Sequence, residues 1–267
     1  MKINIKNKTV WVIGASSGIG KGLVKQLSKE GCNIILSARR EENLKEIQKA
    51  FNLKNENSLV LPLDISKAET FGEKIKSALG KFKTIDVIIL NAGIAHKSLA
   101  EETIEEVDRR VMEVNFMGNI LFTKQIIPIM AKQGSGTIAV TSSILGKIGL
   151  PLVSTYCASK QAVTGYYESL RYEVEKQGIN VTILSPGFIK TDITKNSLTA
   201  DGKVFNKDSI AQEKGMDSDF CAKKMIVAIK KGKRHAYIGG LETFMPAFSF
   251  FFPRIFYFLM KKMHGLK

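Results

Sequence analysis

Short apolar runs rich in β-branched residues recur along this chain, each followed by a turn and then a stretch with helical spacing. Seven runs read as strands: residues 9–13, 33–38, 58–63, 85–90, 136–143, 180–185 and 235–238. Helical patterns fill the intervals. One starts with Leu23, Val24 and Leu27; others cover residues 41–52, 67–80, 103–133 and 218–232; a further one runs through Tyr156, Ala162, Val163, Tyr166, Tyr167 and Leu170. The pattern over 103–133 is long enough to bend, near Gly118 or Pro128. Strands alternating with helices predict an α/β fold on a parallel sheet with right-handed crossovers. No repeat or flexible linker interrupts residues 1–240, which read as one domain, while residues 241–267 form an extension of different composition. Residues 192–216 are polar and irregular, with few apolar anchors, and suit a lid or a cover better than a connector.

Polar residues gather where the apolar runs end. The first strand passes into Gly14-Ala15-Ser16-Ser17-Gly18-Ile19-Gly20 and then a helix. Strand, glycine turn and helix form the context of a dinucleotide fingerprint: glycine allows the tight turn, and N–H groups at the helix start meet a pyrophosphate. The spacing is G-x-x-x-G-x-G rather than G-x-G-x-x-G. The second strand leads to Arg39 and Arg40 and offers no acid for a ribose 2′-hydroxyl. Two guanidiniums suit a 2′-phosphate, so NADP(H) is expected over NAD(H); the plainer alternative is a solvated helix start ahead of Glu41-Glu42. Asp64-Ile65 and Asn91-Ala92-Gly93 close the third and fourth strands at the carboxyl edge, where open parallel sheets place ligands. Asp64 as the N-cap of the next helix is the alternative. Asn115 lies in an otherwise apolar face with Val111, Val114, Phe116 and Leu121, and a buried amide needs partners, either backbone groups or a held water. Ser142 and Ser143 end the fifth strand; Pro186-Gly187-Phe188-Ile189-Lys190-Thr191 follows the sixth.

Tyr156 and Lys160 stand at i and i+4, which puts them on one helix face about 5–6 Å apart at Cβ. A phenol titrates near ~10 and is a reluctant acid at neutral pH; an adjacent ammonium favours the phenolate and is expected to lower that value. Tyr-x-x-x-Lys is also a common accident of sequence, so the pair gains meaning only from the motifs around it.

The chain has 267 residues, 44% of them hydrophobic, with Lys+Arg 40 against Asp+Glu 25 and a formal charge of +15. That composition is globular, and the surplus attracts anions such as a phosphorylated cofactor or an acidic membrane surface. No nucleic-acid motif accompanies it, so no nucleic-acid partner is expected. Cys32, Cys157 and Cys221 are scattered, odd in number and without metal-ligand spacing, which excludes a disulfide framework and indicates a reduced compartment. No apolar leader precedes the first strand, so a cytoplasmic location is expected.

These motifs together resemble the single-domain short-chain dehydrogenase/reductases, over about Lys8 to Gly240 and in the family's order: Gly14-x-x-x-Gly18-x-Gly20, Asp64, Asn91-Ala92-Gly93, Asn115, Ser143, Tyr156-x-x-x-Lys160, and Pro186-Gly187 with Thr191. Ser143 precedes Tyr156 by the usual family interval. The resemblance implies a doubly wound Rossmann-type sheet with helices on both faces, a nicotinamide cofactor and a small carbonyl or alcohol substrate. It implies that Tyr156 delivers the proton, that Lys160 lowers the tyrosine pKa and bonds the nicotinamide ribose, that Ser143 donates to the substrate oxygen, and that Asn115 holds a water. It further implies cofactor contacts from Ser16, Ser17, Ile19, Ile65 and Ile189, and a homodimer or tetramer pairing through helices near 103–133 and 154–177. Ile13 stands where the family usually has a threonine whose hydroxyl ties the glycine turn to the Asn-Ala-Gly strand. Ser142 competes with Ser143 for its role, though the interval favours Ser143. Two other readings are an epimerase or dehydratase, which usually carries a larger substrate domain, and a non-catalytic dinucleotide-binding protein docked on a membrane or partner.

From Phe244 to Met260 the chain is apolar and rich in phenylalanine, interrupted by Pro246, Pro253 and Arg254 and followed by Lys261-Lys262. A spanning helix wants about 20 apolar residues. This run suits a segment lying in a bilayer interface with basic residues near lipid phosphates, a peripheral attachment; a lid over the site and a dimer contact are the alternatives. A greasy end also suggests, by analogy, an apolar or lipid-like substrate.

Overall fold

Val10 and Val12 of the first strand, β1 (Thr9–Ile13), pack into one hydrophobic layer, and Trp11 and Ile13 into the other. The same period of two divides Ile34 and Leu36 from Ile35 in β2 (Asn33–Ser37), and Val87 and Ile89 from Ile88 and Leu90 in β4 (Val87–Leu90). The structure, a computed structural model, describes residues 2–207 and 213–263. With β3 (Ser58–Val60), β5 (Gly136–Thr141), β6 (Ile179–Pro186) and β7 (His235–Ile238), these strands form one parallel sheet in the order β3-β2-β1-β4-β5-β6-β7.

Helices cover both faces. On one side lie α1 (Gly18–Leu27), α2 (Glu41–Ala50) and α7 (Ser218–Lys230), contributing Leu23, Leu27, Leu44, Ile47, Met225 and Ile229. On the other lie α3 (Phe71–Phe82), α5 (Gly118–Gln133) and α6 (Ser154–Val174), contributing Phe71, Ile75, Phe122, Ile126, Val163 and Tyr167. Trp11 anchors that second layer: its ring meets Phe122 edge-on at 5.0 Å, and its indole N–H donates to Ser37 Oγ at 2.8 Å. Ser37 in turn donates to Leu61 O at 2.6 Å, so one buried polar chain links β1, β2 and the residue just past β3. The strand order reverses between β1 and β4, which opens a crevice at their carboxyl ends.

Several boundaries differ from the sequence pattern. The third strand stops at Val60, although Leu61 and Leu63 still donate to Leu36 O and Ala38 O. The pattern over 103–133 resolves into α4 (Glu105–Met112), a π-helical turn (Glu113–Met117) and α5; the interruption is that turn, and Pro128 sits inside α5 without ending it. Within 192–216, residues up to 207 are tied down more firmly than their polarity suggests. Leu198 is buried, its N–H donates to Ala95 O, and its carbonyl accepts from Lys97 N; residues 208–212 lie outside the described residues. The apolar end forms two helices, α8 (Met245–Phe251) and α9 (Pro253–Met263). No helix among the described residues is long and apolar enough to cross a membrane.

Candidate active site

The glycine turn is held by backbone geometry that only glycine meets. Gly14 has φ +87°, and a Cβ there would lie 2.6 Å from Ala92 N; a Cβ on Gly20 would lie 1.8 Å from Gly14 O. Gly20 therefore packs helix against turn, and it does not line the crevice, whereas Gly14, Ser16, Ser17, Gly18 and Ile19 do. Ser17 precedes α1 without a side-chain cap, and the first turn carries no acid. By contrast α7 is closed by Asp217, whose Oδ1 accepts from Asp219 N and Phe220 N. The bare, glycine-lined start of α1 fits a pyrophosphate, and the turn leaves no Cβ to obstruct it.

Asn91 supplies the tie that Ile13 lacks. Its Nδ2 donates to Gly14 O at 3.3 Å and its Oδ1 accepts from Thr141 Oγ1 at 3.1 Å, while Ile13 is buried in the core. Asp64 does not cap α3, which starts at Phe71; its Oδ1 accepts from Ser66 N and Ser66 Oγ at 3.0 and 2.7 Å. Asp64, Ile65, Asn91, Ala92 and Gly93 all line the crevice. Arg39 and Arg40 line its outer end and are exposed, while Glu41 behind them pairs with Lys45 at 2.8 Å.

Tyr156, Lys160 and Ser143 line the same cavity of about 1080 Å³, together with Pro186, Gly187, Ile189 and Thr191. Ser143 lines the crevice with Tyr156, and its Oγ accepts from Leu145 N at 3.1 Å. Ser142 is turned away: its hydroxyl donates to Lys160 O at 3.0 Å and pairs with Thr164 Oγ1 at 2.9 Å, fixing α6 to the sheet. Lys160 is buried and donates from Nζ to Thr141 O at 2.9 Å. Its ammonium stands 5.7 Å from the centre of the Tyr156 ring. Burial pushes the Tyr156 phenol up to about 12, against a smaller pull downward from Ser143. Burial alone brings Lys160 down to about 8. Desolvation is the largest influence on the phenol, and it favours the protonated form.

Asn115 lies behind this wall and does not line it. Its Oδ1 accepts from Ile94 N at 2.8 Å, and its Nδ2 donates to Ile94 O at 2.8 Å and Ser159 Oγ at 3.0 Å. The amide clamps the segment after Gly93 to α6, and the π turn delivers it there. The cavity also takes in Arg110 of α4, Glu113 and Val114 of the π turn, and Asp192, Ile193, Asn196 and Val204 from the 192–216 segment, which the sequence suggests as a cover without naming these side chains. Their signal is tertiary: the loop is brought over by bridges from His96 to Leu198 and from Leu198 to Val204.

A seven-stranded parallel sheet with a glycine-turn crevice and a Ser-Tyr-Lys wall defines a dinucleotide-dependent oxidoreductase. The comparisons agree and are more particular. The short chain dehydrogenase profile matches residues 8–202. The chain is 32% identical over 263 residues to the dehydrogenase/reductase SDR family protein 7-like of Drosophila melanogaster, covering 97% of this chain and 81% of that protein. It is 35% identical over 239 residues to dehydrogenase/reductase SDR family member 7 of Homo sapiens, covering 88% and 70%. Among solved structures, levodione reductase superposes with a TM-score of 0.81 at 23% identity, covering 90% and 98%. A Burkholderia phymatum short-chain dehydrogenase/reductase in complex with NAD gives 0.80 at 20%, covering 92% of each chain, and a Burkholderia cenocepacia short chain dehydrogenase in complex with NADP gives 0.79 at 22%, covering 97% and 99%. At these identities the superpositions speak to fold. The chain belongs to the short-chain dehydrogenase/reductase family and is an NAD(P)-dependent oxidoreductase acting on a small molecule.

Proposed function

We propose that this protein interconverts a carbonyl and a secondary alcohol with NADP(H) preferred, on an apolar, lipid-like substrate. The observation that carries the reading is that Ser143, Tyr156 and Lys160 line one crevice, with the Lys160 ammonium 5.7 Å from the centre of the Tyr156 ring. The nicotinamide, when bound, supplies or accepts the hydride. Tyr156 holds a proton at neutral pH and gives it from its hydroxyl to the substrate oxygen; in the reverse direction the same oxygen takes it back. Ser143 donates toward the same oxygen as negative charge grows there. Lys160, cationic below about 8, faces that charge from a buried position and stabilises the deprotonated tyrosine that follows transfer. Asn115 positions rather than reacts, holding Ile94 and α6 in register.

Two observations support the finer points. Arg39 and Arg40 line the crevice and are free to take a 2′-phosphate, and no acid directly follows the second strand to hold a ribose 2′-hydroxyl, which supports NADP(H). Val114, Ile193, Leu198 and Val204 add apolar side chains to a cavity whose lining is otherwise mixed, and they support an apolar substrate. A panel of carbonyls and lipid extracts, followed by NADPH oxidation with Tyr156→Phe as control, tests the reading. Turnover of an apolar ketone that disappears in the variant is expected. Stoichiometric NADPH binding without turnover on any panel member would favour a dinucleotide sensor instead.

A further inference from the structure

The C-terminal helices invert the rule that the rest of the chain obeys. Of their large apolar side chains only Phe256 is buried, while Phe250 is 79% and Tyr257 68% exposed. Phe251 and Phe258 are exposed as well. Contiguous aromatic exposure on this scale marks a docking surface. Its charge chooses among occupants. Arg254 and Lys261 are two turns apart on α9, so they share a face, with Tyr257 and Phe258 between them, and Lys262 adjoins. Pairing with a second copy would bring these cations together, on a chain of formal charge +15. An anionic lipid surface accepts both components: the rings enter the acyl boundary and the cations meet phosphates.

The root of this segment touches the crevice. Glu242 Oε1 accepts from Phe188 N at 3.1 Å and from Gly240 N at 3.0 Å. A Cβ on Gly187, a crevice residue, would lie 2.2 Å from the same carboxylate oxygen. The tail is therefore fastened to the loop that forms one wall of the site.

We infer that α8 and α9 lie in the interface of an anionic bilayer and, through Glu242, hold the crevice beside it, so that an apolar substrate enters from the lipid. This rests on the proposed apolar substrate for its purpose, but not for its test. The full chain is mixed with vesicles of phosphatidylcholine alone and of phosphatidylcholine with phosphatidylserine, sedimented, and assayed in parallel on a water-soluble carbonyl. Binding to the anionic vesicles is expected. Phe250→Ser with Phe251→Ser and Phe258→Ser should lower it at least about tenfold. Arg254→Gln with Lys261→Gln and Lys262→Gln should lower it on the order of a hundredfold on anionic vesicles and little on neutral ones. Soluble-carbonyl turnover should stay unchanged in both variants. Absence of vesicle binding, or binding indifferent to both sets, overturns the inference. So does a wild-type dimer that the serine variant dissociates, which would assign the face to a second copy. Loss of the carbonyl activity itself would instead strike the proposed function.

Discussion

The crevice and the C-terminal helices treat the same residue types in opposite ways. In the crevice wall a lysine is withdrawn from water beside a half-buried tyrosine, and their neighbours are bonded: Ser142 to α6, Asn115 to Ile94, Asn91 to the glycine turn. In α8 and α9 phenylalanines face solvent and the cations stand among them. Burial of a charged or titratable group without an opposite charge is costly, and folds keep it only where chemistry needs it. Exposure of several aromatic rings is also unfavourable, and it persists where something else covers them. The contrast sets a buried, bonded crevice wall against exposed aromatic helices, and it makes the two separable by mutation.

Lys160→Met should break the crevice side most sharply. Turnover should fall by about 10²–10⁴, yet the variant should resist denaturant better by about 1–3 kcal/mol at pH 7, since a buried ammonium displaced from 10.5 to about 8 costs that order. In the wild type, the folded lysine sheds its proton near 8 while the unfolded chain keeps it up to 10.5. Stability from this group should accordingly rise with pH across that window, and carbonyl reduction should decline above about pH 8. A Met variant that is both inactive and less stable would mean that the Thr141 bond, rather than desolvation, dominates.

Next in size is the arginine pair. Arg39→Gln with Arg40→Gln should weaken NADPH about 10–100-fold in a fluorescence titration and NADH by less than about threefold. Equal losses would show that the pair reads no phosphate. The smallest effect belongs to the tail: removing residues 244–263 with whatever follows should leave the thermal midpoint within a few degrees, because only Phe256 there is buried. It should also move the protein from vesicle-bound to free. A large loss of stability would mean that these helices belong to the core.

The sheet was largely legible because its signals are local. β7 matches its apolar run, and the pattern places every strand end within a few residues. The glycine turn, the Asn-Ala-Gly strand end and the tyrosine–lysine pair were legible because each depends on spacing within a few residues. What stayed hidden depends on distant partners. The π turn at Asn115 answers to Ile94, 21 positions away, and nothing in residues 113–117 announces it. The orphan-free state of Ser142 depends on Thr164, 22 positions on. The anchoring of Leu198 requires Ala95 and Lys97. The direction of the Tyr156 shift follows from how deeply the pair is buried, which i, i+4 spacing does not encode.

The proton-donating role of the Tyr156 hydroxyl is tested most directly by turnover of Tyr156→Phe, measured alongside its NADPH affinity. That role predicts a fall in turnover of at least about 10³-fold with affinity within about threefold. Turnover within tenfold of the wild type, or an affinity loss as large as the turnover loss, would contradict it.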